Sequence, residues 1–474
     1  MDIKLAFEKA HKSLESLDQQ HLLAFFSQLN DSQKQDLLTQ INALDLRSMG
    51  PLIDKYVKNQ SVDTDITDFA PPPFFASTPK DDQRQKYDRA VSLGEELIST
   101  GKVAAFVVAG GQGTRLGFDG PKGDFPISPV KNKSLFRLFA EYIAAANDKY
   151  DTNCPWYIMT SPLNDEQTKD IFANNDYFGL NKEDIFIFRQ AAMPNFSFDG
   201  KILLADKDSI ACSPDGHGGS LKALFASGAI DDMKKRGAEY ISYFQVDNPL
   251  INIFDPLFIG LHALEKAEMS SKALKKNHPL EKVGNFCLVD GKITVIEYSD
   301  LPREKANLKN PDGSLVFELG SIAIHIINTS FVEKLNEKGF SLPIHRAVKK
   351  IPFIDETGKL IEPDQPNGIK LETFVFDAIP MAGHSIILET PRAEEFAPVK
   401  NAQGDDSPQV TREMMTDRAA CWLESAGIKV PRKADGRPNC TIEMAPSFAL
   451  DRDDIKKKIN KVPEIKPGDA VYLD

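Results

Sequence analysis

The segment Val103-Ala104-Ala105-Phe106-Val107-Val108 is apolar at every position, has the length of a strand, and runs through Ala109 into Gly110-Gly111-Gln112-Gly113-Thr114-Arg115-Leu116-Gly117. A strand without polar alternation is buried on both faces, so it calls for helices on each side of a parallel sheet. The glycines that follow let phosphate oxygens approach backbone N–H groups directly. A concave run of amides after a strand is a ready-made anion site. Arg115 adds a planar guanidinium suited to phosphate, and Lys122 adds a point charge on the stiff turn Gly120-Pro121-Lys122-Gly123. Two familiar loops fail here. A P-loop places Lys and then Ser or Thr directly after its closing glycine, whereas Phe118 and Asp119 follow Gly117. A dinucleotide fingerprint opening at Gly111 needs a glycine where Leu116 stands. A ligand-free connection is the plain alternative, and the Arg and the Pro-Lys-Gly packed into residues 110–123 weigh against it.

The formal net charge is −12, so the chain as a whole repels anions and any phosphate site must be a local cluster of Lys, Arg and amides. The same acidic surplus argues against nucleic acid as a partner. No stretch approaches the ~20 apolar residues of a membrane span, and Met1-Asp2-Ile3-Lys4-Leu5 opens no signal peptide. The five cysteines (Cys154, Cys212, Cys287, Cys421, Cys440) are odd in number and widely spaced, fitting neither a disulfide framework nor a zinc site. The expectation is a cytoplasmic protein without membrane partners.

Strands and helices alternate around the loop. A helix bearing Leu135, Phe136, Leu138, Phe139, Tyr142 and Ile143 follows it, then a buried-type strand at Trp156–Met159 and a helix near Asp165–Phe172. A third such strand at Tyr240–Val246 leads to a helix over Asp255–Ala267. Between Val283 and Tyr298, Asp290-Gly291 predicts a hairpin, read as a lid or wall for substrate. Further strands are expected at Ser321–Ile327 and Ile386–Leu388. Before the core, Leu22, Leu23, Phe25, Phe26 and Leu29 recur at helical spacing, and Asp31 or Ser32 could cap the next helix. The run Ala70-Pro71-Pro72-Pro73-Phe74-Phe75 predicts an extended strap, and a helix spans about Gln83–Ile98. The fold class is α/β, a mainly parallel mixed sheet with small flanking domains. Three domains are expected: residues 1–99, helical with the strap; 100–390, the α/β core; and 391–474, a small C-terminal unit.

The loop with Pro121-Lys122-Gly123 resembles the signature of the UDP-N-acetylhexosamine pyrophosphorylase family. The resemblance continues through Trp156-Tyr157-Ile158-Met159-Thr160-Ser161, Ser197-Phe198-Asp199-Gly200-Lys201, Pro214-Asp215-Gly216 and Val246-Asp247-Asn248. It runs on through Asp255–Gly260, Ile296-Glu297-Tyr298-Ser299, Lys349-Lys350-Ile351-Pro352, Lys370–Asp377 and Lys400-Asn401-Ala402. The resemblance implies a Rossmann-like nucleotidyltransferase core of the nucleotide-diphospho-sugar transferase type. It implies that UTP and N-acetylglucosamine 1-phosphate give UDP-N-acetylglucosamine and pyrophosphate, with Mg2+ (or Mn2+) as cofactor.

In that reading Gly110, Gly111, Gln112 and Gly113 hold the nucleotide, and Arg115 and Lys122 meet its phosphates. Lys400 matches a family lysine at the phosphates, and Gln190 matches a glutamine that reads uracil, an amide being able to donate and accept at one base edge. Asp247 follows a buried strand, where open α/β sheets place ligands, and is the first candidate for Mg2+ with Asp377 second. Gly216 and Glu297 match sugar-site positions, and Phe374 and Phe376 match aromatics near the acetyl group. Without the resemblance, two alternating Phe would read as core, and Lys400 and Gln190 as surface. Two positions depart from the family: His217 stands for Asn in Gly216-His217-Gly218-Gly219, and Gly320-Ser321-Ile322-Ala323-Ile324-His325 lacks both Asn of the family's block. His217 and Ser321 can still hydrogen-bond a sugar. Glucose 1-phosphate, N-acetylgalactosamine 1-phosphate or a broad choice of sugars therefore stay open, as does a catalytically silent UDP-sugar sensor. Retention of Arg115, Lys122, Asp247 and Lys400 together speaks against the sensor.

Overall fold

The structure is a computed structural model that describes residues 2–59 and 68–474. The chain divides into two compact units: residues 1–67, 191–219 and 342–374 form one, and residues 68–190, 220–341 and 375–474 the other. This differs from three successive domains bounded at 99 and 390. The N-terminal helices bury their apolar faces on one another and against two excursions from the middle of the chain.

The larger unit is built on nine strands: β1 (Val103–Val108), β2 (Trp156–Thr160), β3 (Ile185–Arg189), β4 (Tyr240–Gln245), β5 (Met269–Lys275), β6 (Gly284–Val289), β7 (Lys292–Ile296), β8 (Leu319–Asn328) and β9 (Ile387–Glu389). Their order is β7-β6-β8-β4-β1-β2-β3, with β5 pairing with β8 and with β9. The run from β4 through β1 and β2 to β3 is parallel, and so is β5 with β9. Around β8 the pairing is antiparallel. The expected α/β fold is present. Every residue of β1 and β2 is buried, as the unbroken apolar runs require. The helix Leu135–Tyr150 sinks Phe136, Phe139 and Ile143 into the same core.

The hairpin β6–β7 turns through Asp290 and Gly291 at φ 49° and 75°, the conformation its Asp-Gly pair favours. It joins β8 and so forms the edge of the main sheet, not a separate lid. The strap pairs with strands at two points, Ala70 with Leu288 and Phe75 with Leu388. Towards the C-terminus, Ser407 caps the helix Pro408–Ser425, which shares an apolar cluster with the parallel pair Thr441–Met444 and Ala470–Leu473. Among the described residues no helix is long and apolar enough to cross a membrane.

In the smaller unit, Leu14, Leu22, Leu37, Leu38 and Ile41 from the N-terminal segment share one core with Phe196, Ile202, Ile369 and Leu371. Two buried or half-buried amides pin these segments together. Gln19 donates to Gly200 O (2.8 Å) and accepts from Ile202 N (2.8 Å), and Gln40 does the same with Asp208 O (2.9 Å) and Ile210 N (2.9 Å). The run Leu22–Leu29 forms two 3-10 turns, Gln20–Leu23 and Phe26–Gln28, instead of a continuous helix. The next helix, Asp31–Ala43, is capped by Asn30, whose side chain and that of Gln33 close a reciprocal capping box. The cap thus falls one residue ahead of Asp31.

Candidate active site

The glycine-rich segment leaves β1 with its exit held by Ala109 N donating to Met159 O (2.8 Å). It then folds back on itself. Gly113 N donates to Gly120 O (2.9 Å) and Lys122 N to Gly111 O (3.0 Å), so Lys122 returns to the side of Gly111. A Cβ on Gly111 would lie 3.8 Å from Lys122 Cδ, in ordinary contact. A Cβ on Gly113 would meet the Phe118 side chain at 2.7 Å, and its amide is already used, so this glycine serves the packing of the loop. The Gly111 and Gln112 amides have no acceptor among the described residues and are the ones open to a phosphate.

A residue not expected from the sequence braces the loop. Asn164 precedes the helix Asp165–Asn174, and its side chain makes no cap. Its Nδ2 donates to Ala109 O (2.9 Å) and Gly111 O (3.2 Å), and its Oδ1 accepts from Ser161 N (2.8 Å). Read from sequence, Asn before an acidic helix start is a cap, which hides this role. Gln190 is buried, and its Oε1 lies 2.9 Å from where a Cβ of Gly110 would be. The absent side chain of Gly110 thus makes room for the Gln190 amide at the loop.

Charges gather where β1 and β4 end. Lys122 Nζ is 3.6 Å from Asp247 Oδ2, both side chains being largely buried at 15% and 18% exposure. Burial pushes the Lys122 amine below its ordinary value; Asp247 opposes this, while Lys400 and Arg115 add to it by repulsion. Lys122 thus feels both of the other cations expected at phosphates. Lys400 arrives on a segment tied to Asp247 itself, through Val399 N donating to Asp247 O (2.8 Å). Its amine lies 3.9 Å from Asp406 Oδ2, and its amide donates to Asp406 O (2.7 Å). Burial raises the Asp406 carboxyl, and Asp247 raises it further against the pull of Lys400. Nothing in the pattern around Asp406 distinguishes it beyond Ser407-Pro408, which marks a helix start.

Among the described residues no three His, Cys, Asp or Glu side chains gather as a metal site. Mg2+ on a nucleotide asks for less, one or two carboxylates with phosphates and water supplying the rest. Asp247 is one carboxylate at the end of β4, beside Lys122. Asp377 sits in the 3-10 turn Val375–Met381, which packs on β7 and β5.

The candidate sugar residues fall in both units. In the larger one, Gly284 brings two of them together: its absent Cβ would lie 3.6 Å from Glu297 Oε1 and 3.8 Å from Ser321 Cβ. Ile324, at the second departed Asn position, is buried in the core. Phe376 is buried as well. In the smaller unit, Gly216 adopts φ 86°, and a Cβ there would strike Thr373 O at 2.3 Å. This close approach lets Gly218 N donate to Thr373 O (2.9 Å) and Thr373 N donate to Asp215 O (2.9 Å). The Phe374 ring stacks with two imidazoles, His217 at 5.2 Å and 19° and His345 at 4.2 Å and 26°. Burial pushes the His217 imidazole down to about 4, against the opposing pull of Glu372, so it is neutral near pH 7. His345 has no sequence signal, because only the fold brings its strand beside Phe374.

A glycine-rich loop with open amides after a central parallel strand, with Lys122 and Asp247 beside it, is the arrangement of an α/β protein with room for a phosphate. The family described as UTP–glucose-1-phosphate uridylyltransferase matches residues 52–473. The chain belongs to that family, and it is an enzyme of the nucleotidyltransferase class. It is 36% identical over 432 residues to the UDP-N-acetylglucosamine pyrophosphorylase of Saccharomyces cerevisiae, covering 88% of each chain. It is 35% identical to the UDP-N-acetylhexosamine pyrophosphorylase-like protein 1 of Xenopus tropicalis, across 89% of this chain and 85% of that one. The solved uridine diphosphate N-acetylglucosamine pyrophosphorylase of Trypanosoma brucei superposes with a TM-score of 0.83 at 25% identity, covering 99% of this chain and 98% of that one.

Proposed function

We propose that this chain transfers UMP from UTP to N-acetylglucosamine 1-phosphate and releases pyrophosphate. The observation that carries the reading is Lys122 beside Asp247 next to the open amides of the loop, with Lys400 on the segment tied to Asp247 and Arg115 in the same loop. The relatives' names support the same reaction.

The chemistry needs little covalent help. A phosphate oxygen of the sugar 1-phosphate attacks the α-phosphorus of UTP, a new P–O bond forms, and the bond to pyrophosphate breaks in line with it. The protein's part is positioning and neutralisation. Gly111 and Gln112 amides grip the triphosphate, Gln190 reads the uracil edge, and Lys122 with Lys400 and Arg115 offsets the charge that builds on the leaving group. Asp247 would hold Mg2+ (or Mn2+), with Asp377 the second candidate; the bound ion neutralises phosphate charge. The five free cysteines fit a reducing cytoplasm.

A second reading, a uridylyltransferase for glucose 1-phosphate or for several sugars, is favoured by one observation: a neutral, ring-stacked His217 stands where the family has an amide. Pyrophosphate release with UTP, Mg2+ and a panel of hexose and hexosamine 1-phosphates separates the readings. Fastest release with N-acetylglucosamine 1-phosphate is expected. Release with glucose 1-phosphate alone removes the hexosamine reading, and no release with any sugar removes the enzyme.

A further inference from the structure

Lys400 reaches the phosphate clamp from a segment far from Lys122 and Asp247 in sequence, so something must fix where it stands. Residues Glu395–Val399 are all buried, and they lie along the chain that follows Asp247. Asn248, the neighbour of Asp247, uses both ends of its amide: Nδ2 donates to Glu395 O (2.7 Å), and Oδ1 accepts from Ala397 N (3.0 Å). Val399 N then reaches Asp247 O. Lys400 is the next residue.

The near end of this segment is anchored by an ion cluster in the core. Lys272 on β5 is 1% exposed and reaches Glu395 at 2.5 Å and Asp255 at 2.6 Å. The Glu395 carboxylate also accepts from Thr390 Oγ1 (2.8 Å) and from Asn252 N (3.2 Å). Asp255 is tied in turn to the start of the helix Pro256–Leu264, accepting from Leu257 N (3.0 Å). A buried ion cluster is a poor way to stabilise a fold, because desolvation consumes much of the attraction and apolar side chains do as well. Its directional bonds do fix register, and here they lock β5, the chain after Asp247 and the approach to Lys400 to one another.

We propose that Glu395, held by Lys272 and joined through Asn248 to Asp247, is a positioning residue that sets where Lys400 meets the phosphates. It rests on the uridylyltransferase reading for what Lys400 does. The test is a double-mutant cycle of Glu395→Gln and Lys400→Ala, read in kcat for pyrophosphate release and in the calorimetric Kd of inorganic pyrophosphate. Lys272 keeps Asp255 as a counter-ion in Glu395→Gln. Thr390→Val, which removes one bond to the carboxylate, serves as the milder variant should the first fail to fold. In the Lys400 background Glu395→Gln is expected to lower kcat on the order of 10²-fold through misplacement of the amine. In the Lys400→Ala background it should cost less than about twofold, because the residue it acts through is gone. Equal losses in both backgrounds, or a lowered melting temperature with unchanged kcat and Kd, would overturn the proposal. Should the native protein release no pyrophosphate with any sugar phosphate, the uridylyltransferase reading fails. The cycle in pyrophosphate Kd still decides for or against Glu395.

Discussion

The phosphate clamp of the larger unit and the ring stack of the smaller one are built on opposite principles. The clamp is charge and bare backbone: Lys122 against Asp247 at 3.6 Å, Lys400 against Asp406 at 3.9 Å, and amides kept free by glycine. The stack is aromatic and crowded, with Phe374 stacked on His217 and on His345 and a glycine at 216 because Thr373 leaves no room for a Cβ. Charge dictates residue type, since only a cation such as Lys or Arg offsets a phosphate's charge there, while bare amides donate hydrogen bonds to it. A packed aromatic wall dictates shape, and several side chains can make one. The reaction is therefore held in the clamp more tightly than the sugar preference is held in the stack.

If this contrast is sound, the largest effect comes from the clamp. Lys122→Ala should lower kcat on the order of 10²- to 10³-fold, the usual cost of losing one preorganised charge-stabilising group, and leave the melting temperature nearly unchanged. Steady-state kinetics alongside a thermal melt checks this, and full activity would remove Lys122 from the clamp. Two glycines give the next effect and should behave oppositely. Gly111→Ala meets its nearest neighbour at 3.8 Å, so the fold should tolerate it while UTP binding is lost. Gly216→Ala carries φ 86° and a 2.3 Å clash, so stability should fall by roughly 1–3 kcal/mol or more. Denaturant titration paired with UTP affinity would show the split; a destabilised Gly111→Ala would contradict it.

His217→Asn should shift relative kcat/KM toward N-acetylated sugar phosphates by about 10-fold, within the range a pocket side chain commands. An unchanged ratio would take His217 out of the sugar choice. The smallest effect is on acid stability. The folded His217 sits at about 4, below the ordinary 6.5, so between these values the unfolded chain binds the extra proton. Stability therefore rises with pH across that window and is lost on acidification. His262, buried and likewise pushed to about 4, contributes in the same direction. His217→Asn should flatten the slope of unfolding free energy between pH 6.5 and 4, read by urea melts, while Lys122→Ala should leave it unchanged.

The legibility of the sequence followed the same division. The parallel strands were readable because Val103–Val108 and Trp156–Met159 are buried on both faces, and a continuous apolar run records that directly. The hairpin was readable from Asp290-Gly291, yet its place at the sheet edge was not, since pairing with β8 depends on residues distant in sequence. The unit boundaries were hidden because Gln19 and Gln40 bond to segments beyond residue 190, and polar residues in a helical stretch look solvent-facing. At the site, Arg115, Lys122 and Asp247 stand next to punctuation, namely glycines, a proline and a strand end. Asn164 and Asp406 stand at helix starts that suggest only a cap, Glu395 and His345 carry no such mark, and only the folded chain brings all four to their partners.

The central claim is that the clamp holds UTP for transfer of its α-phosphorus. The direct measurement supplies UTP labelled at the α-phosphorus together with N-acetylglucosamine 1-phosphate and Mg2+. The label should appear in a nucleotide sugar, with unlabelled pyrophosphate released in equal amount, and both should form far more slowly, yet still in equal amount, in Lys122→Ala and Lys400→Ala. Label recovered only as UTP, or as UMP without a sugar attached, would contradict the account.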